Sequence, residues 1–126
     1  MKTEQIKDRL ERLILFYFDF LVTDFSFAYR KTIYPDFMGF PGPIFVFSFF
    51  NDHGCLSFHY ISQKDELGLY TAEHDSDQQY DLMQREVSTS ELCRRRVFTK
   101  KQFFSEISKQ LRKEAVENGT VLGIEV

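Results

Sequence analysis

Residues 43–61 read PIFVFSFFNDHGCLSFHYI, two runs of strand-forming residues on either side of Asn51-Asp52-His53-Gly54. Aromatic and β-branched side chains suit a pleated, half-buried surface, and a four-residue link containing glycine suits a β-hairpin. The first arm is apolar on both faces. Ile44, Val46 and Phe50 share one face with Ser48, and Phe45, Phe47 and Phe49 form the other. The second arm alternates, Leu56, Phe58 and Tyr60 against Cys55, Ser57, His59 and Ile61. An arm that is apolar on both sides needs cover on both, or cover on one and a partner on the other. This hairpin is therefore expected at the centre of a sheet on which the rest of the chain packs.

Outward from the hairpin, residues 3–21 carry Ile6, Leu10, Leu13, Ile14, Tyr17 and Leu21 at steps of three and four, the mark of an amphipathic helix, with Thr3 as its cap. Lys7–Glu11 and Asp8–Arg12 are placed to pair along its polar side. Residues 24–29 alternate as a half-buried strand. Residues 31–43, broken by Pro35, Gly39, Pro41, Gly42 and Pro43, read as a loop whose Tyr34, Phe37, Met38 and Phe40 fold back over the sheet. Leu67, Leu69 and Thr71 suggest a third strand of the sheet, and residues 79–93 are compatible with strand or helix. Thr99-Lys100-Lys101-Gln102 has the form of a capping box. It opens a helix with Phe103, Phe104, Ile107, Leu111 and Ala115 on one face, stopped by Asn118-Gly119. Val121 to Val126 form a last short strand, expected on the sheet edge. The fold class expected is α+β: one domain over 1–126, an antiparallel sheet of four to six strands with both long helices packed on it.

Composition narrows the function. The 126 residues include 15 Phe and 6 Tyr but no Trp, enough aromatic area for one core. No stretch is long and apolar enough for a membrane span, and the mixed charges of residues 2–12 make a poor signal peptide. Two cysteines without a CxxC favour reduced thiols in the cytoplasm, with a Cys55–Cys93 bridge left as an alternative.

No pattern supports a metal, a cofactor or a catalytic group. The three histidines, His53, His59 and His74, lack ligand spacing. Cys55 and His59 share a strand face but lie roughly 13 Å apart at the usual strand rise. Cys93 beside Arg94-Arg95-Arg96 has a cationic neighbourhood but no identified base. Phosphate-binding glycine motifs are absent, and overall acidity argues against nucleic acid as the main partner.

Charge is the remaining signal. The net −3 conceals a balanced 1–50, a 51–84 segment at −6, and +3 over 85–126. From Asp65 to Gln84 there are six acids and no Lys or Arg. Acids interspersed with tyrosines suit an interface with a basic protein, the carboxylates steering and the tyrosines anchoring. The expected partner-binding residues are Asp65, Glu66, Tyr70, Glu73, Asp75, Asp77, Tyr80 and Asp81.

A charged first helix, an aromatic meander (FSFAY, PIFVFSFF, CLSFHYI, LGLY) and a Phe-rich helix introduced by TKKQFF together resemble small immunity proteins of bacterial toxin–immunity systems. The resemblance spans most of the chain and rests on layout and composition. It implies a cytoplasmic protein without catalytic activity that binds and blocks a cognate toxin domain. Many such toxins are nucleases with cationic clefts, for which the acidic 65–81 segment is the natural blocking surface. Two alternatives stand beside it. One is a small-molecule-binding or enzymatic domain with an aromatic pocket beneath the 32–42 loop, lined by Phe37 and Phe40 with His59 projecting in. The other is a subunit whose doubly apolar arm completes a partner's sheet or a homodimer.

Overall fold

A computed structural model describes residues 3–34, 43–63, 65–72, 85–87 and 99–126. The hairpin is present as the second and third strands of the sheet: strands Ala28–Tyr34 (β1), Ile44–Asn51 (β2), Gly54–Ile61 (β3), Glu66–Ala72 (β4) and Arg85–Glu86 (β5) form one antiparallel sheet in sequence order. Among the described residues two helices, α1 (Thr3–Thr23) and α2 (Lys100–Asn118), complete an α+β fold. Among the described residues, no helix is long and apolar enough to cross a membrane.

The β2–β3 ladder runs from Ile44 opposite Ile61 to Asn51 opposite Gly54, so only Asp52 and His53 connect the strands. The link is tighter than the four-residue segment expected from sequence. Asn51 accounts for this: its Oδ1 accepts the N–H groups of His53 (2.8 Å) and Gly54 (3.1 Å). A side-chain amide that mimics a backbone turn closes the hairpin early.

Alternation along the ladder then sorts the side chains. Phe45, Phe47, Phe49, Leu56, Phe58, Tyr60 and Leu69 form a buried face under both helices. Phe18 of α1 sits at its centre, with ring centroids 4.7 Å from Phe58, 6.3 Å from Phe49 and 6.1 Å from Phe104 of α2. The helical stripe expected from sequence omits Phe18 and Phe20, yet both are buried alongside Leu10, Ile14 and Leu21. The opposite face is buried too, through Ile44, Val46, Ser48, Cys55, Ser57 and His59. Of the two arrangements that a doubly apolar β2 allows, the chain has the first, with side chains buried on both faces.

The first strand departs from its expected place. Residues 24–29 alternate in sequence, but α1 continues to Thr23 and the pairing of β1 begins only at Ala28. Ser26 adopts a left-handed φ of 60°, and the Phe27 N–H donates to the Leu21 carbonyl at 2.9 Å. Phe27 is thus a buried plug in a helix-terminal turn. β1 instead takes in Lys31 to Tyr34, which the prolines further on had assigned to the loop. Phe37, Met38 and Phe40 lie outside the described residues, as does nearly all of 79–93 apart from β5 and Val87.

The second helix matches its sequence signals. Thr99 Oγ1 accepts the Gln102 N–H and Gln102 Oε1 accepts the Thr99 N–H, each at 3.1 Å. Gly119, left-handed at φ 69°, donates its N–H to the Ala115 carbonyl. The chain beyond it is not a single strand on the sheet edge. Thr120–Val121 (β6) and Ile124–Glu125 (β7) form a separate two-stranded hairpin, because Leu122 and Gly123 both turn with positive φ, 51° and 82°.

Candidate functional site

α1, the β3–β4 turn and the first residue of α2 enclose a cleft with a volume of about 320 Å³. Its apolar wall is Ile6, Leu10, Leu13 and the Tyr60 ring; its polar rim is Arg9, Ser62, Asp65 and Lys100. Local sequence explains why these groups converge. Ile6, Leu10 and Leu13 belong to the apolar stripe of α1, and Tyr60 points to the helix side because its cross-strand neighbours are Phe45 and Leu67. The cap at Thr99 fixes where α2 begins and so where Lys100 projects.

Asp65 ties the rim together. It occupies a left-handed turn position, φ 49°. Its Oδ1 accepts from the Tyr60 hydroxyl at 2.7 Å and from Lys100 Nζ at 3.0 Å. These bonds, Tyr60's first and then that of Lys100, hold the carboxyl below its ordinary range. Tyr60 moves the other way, pushed up to about 12 by burial and then by its bond to the Asp65 carboxylate. Lys100 Nζ also lies 5.7 Å from the Tyr60 ring centroid, within cation–π range. A lysine in the first turn of a helix opposes the helix dipole; here Asp65 supplies the compensating charge.

Of the eight expected partner-binding residues, the described structure places three, and it does not bring them onto one patch. Asp65 is on the cleft rim, engaged by Lys100 and Tyr60. Glu66 lies opposite Ile61 on the other sheet face, exposed, with no ion pair to any described residue. Tyr70 lies opposite Ser57 on that same face and is half-buried, its ring stacked on His59 at 4.1 Å. It is packed against this chain rather than presented as an open anchor. Glu73, Asp75, Asp77, Tyr80 and Asp81 lie outside the described residues, as do His74 and Cys93 to Arg96.

The second face carries a polar row. Ser48 and Ser57 hydroxyls are 3.2 Å apart, and Cys55 Sγ is 3.5 Å from Ser57 Oγ. Burial pushes the His59 imidazole down to about 3, so it is neutral at ordinary pH. His53 is at the exposed hairpin turn, its Nδ1 3.7 Å from Glu125 Oε2. Among the described residues, no group of three or more His, Cys, Asp or Glu side chains is arranged to hold a metal ion.

Comparison with protein-family models, curated proteins and solved structures finds no match.

The cleft was not anticipated from the sequence. In sequence its apolar residues read as helix-to-sheet packing, and Lys100 as part of the capping box that opens the second helix. The one local hint is a lysine directly after a well-formed cap, a position where the helix dipole favours an anion nearby.

Proposed function

We propose that this chain is a non-catalytic binding protein that neutralises a basic protein partner, in the manner of the cytoplasmic immunity proteins its layout resembles. The observation that carries the proposal is charge segregation: six acids and no base between Asp65 and Gln84 in a chain whose final third is basic. Asp65 is compensated by Lys100, which leaves Glu66, Glu73, Asp75, Asp77 and Asp81 to supply the field. Carboxylates so grouped speed association with a cationic surface and make it sensitive to salt.

The test is retrieval of a partner by immobilised chain from lysate of the source cell, at low and high salt, with bound proteins identified by mass spectrometry. Wild type is compared with the Asp75→Lys, Asp77→Lys, Asp81→Lys triple variant and with Asp65→Asn. A basic protein held at low salt, released at high salt and lost from the triple variant is the expected result. Asp65→Asn should retain it, since that charge is already spent on Lys100. Equal retention by wild type and the triple variant overturns the assignment of the surface.

A further inference from the structure

The cleft between α1 and α2 has the make-up of a ligand site, and of the six acids from Asp65 to Gln84 it draws on Asp65 among the described residues. Its volume, about 320 Å³, lies at the lower end of the range for small-molecule pockets. A cavity at that lower bound suits a ligand smaller than drug-sized, on the order of ten heavy atoms. Its wall accepts an apolar body: Ile6, Leu10 and Leu13 along one helix, faced by the Tyr60 ring.

The rim specifies the head group. Arg9 and Lys100 contribute two positive charges and Asp65 one negative, so among the described residues the rim carries one uncompensated positive charge. Arg9 is exposed and makes no ion pair with any described residue. Lys100 gives one bond to Asp65, while an ammonium group has three donors to offer. The neighbouring start of α2 adds the positive end of the helix dipole, with no acid in its first turn to offset it. A cation would meet a rim that is positive on balance, and a neutral molecule would leave the excess unanswered. A single carboxylate balances it.

We propose that this cleft binds a small monoanion with an apolar body, a carboxylate of about ten heavy atoms, its head between Arg9 and Lys100 and its tail against Ile6, Leu10, Leu13 and Tyr60. The aliphatic and aryl forms share this chemistry, and octanoate and 3-phenylpropanoate serve as the two probes.

The experiment is a titration of the full chain followed by amide chemical shifts. Octanol lacks the charge, acetate lacks the body and octylamine reverses the sign. Saturable shifts confined to residues 6–13, 60–65 and 100–104 with octanoate or 3-phenylpropanoate, and weaker by about tenfold or more with all three controls, are expected. Whichever probe binds tighter identifies the body as aliphatic or aryl. Arg9→Met changes an exposed side chain and leaves the core untouched, so its expected loss of about tenfold in affinity reads the head-group contact directly. Leu13→Trp fills the cleft and should abolish the shifts while the remaining spectrum stays dispersed. Octanol binding as well as octanoate, unchanged affinity in Arg9→Met, or no shifts at these residues with either probe overturns the proposal. None of these outcomes depends on Asp75, Asp77 or Asp81, so the two proposals stand or fall separately.

Discussion

His59 shows how a single position joins sequence, packing and pH response. It lies opposite Gly68 on β4, and the missing side chain there gives the Tyr70 ring room to lie across the strand and stack on the imidazole. A Cβ on Gly68 would come within 2.8 Å of that ring. Because burial lowers the folded-state value from 6.5 to about 3, the unfolded chain takes up a proton that the folded chain refuses. The stabilisation is complete above pH 6.5 and is lost as pH falls from there toward 3, with a slope approaching about 1.4 kcal/mol per pH unit. His59→Phe removes the titrating group while keeping an aromatic surface for Tyr70. Urea melts between pH 4 and 7 should show a flatter stability profile for the variant than for wild type. Parallel profiles would mean that His59 is protonated within the fold.

At the scale of elements, those whose signals are local were legible in the sequence, and those that depend on a distant contact were not. The capping box at Thr99, the stop at Gly119 and the hairpin at 43–61 each lie within a few residues of the structure they specify, and all three are present. The alternation of residues 24–29 misled because Phe27 is buried by a turn that α1 imposes, not by strand pairing. The C-terminal hairpin was misread as one strand because its turn is held by a residue on another element. Glu114 of α2 accepts from the Thr120 hydroxyl at 2.6 Å and from the Leu122 and Gly123 N–H groups at 3.0 and 3.1 Å. Leu122 is thereby kept in a left-handed conformation that a branched side chain resists. The hairpin in turn docks on the β2–β3 turn, where Asn51 Nδ2 donates to the Glu125 carbonyl at 2.7 Å and Ile124 packs on Gly54. Glu114→Ala leaves three donors without their acceptor. It should cost about 1 to 3 kcal/mol and speed hydrogen exchange at residues 121–125 far more than in β2 or β3. Uniform acceleration across the sheet would show that the clamp is not local.

Over the whole molecule, both helices and the sheet meet at one side chain. Phe18 is fully buried, and its ring neighbours are Phe20 on its own helix, Phe49 and Phe58 on the two central strands, and Phe104 on α2. The cleft depends on the same junction, since Arg9 and most of its wall come from α1, Tyr60 from β3 and Lys100 from α2. This is why the site was illegible in a linear reading: Arg9, Asp65 and Lys100 acquire a common meaning only when that core sets the two helix starts beside the β3–β4 turn. Truncation of Phe18 removes aromatic contacts in three directions and leaves a cavity, for which about 3 to 5 kcal/mol is the usual cost. For a chain of this length that corresponds to a fall in melting temperature of roughly 10 to 20 °C. If the helices and sheet form one cooperative unit, the far-ultraviolet signal of the helices and the near-ultraviolet signal of the tyrosines should shift together in Phe18→Ala. A helix signal lost well before the tyrosine signal would show that α1 melts away from a surviving sheet. In that event the wall of the cleft would open first, and carboxylate binding would fail at temperatures where β2 and β3 are still paired.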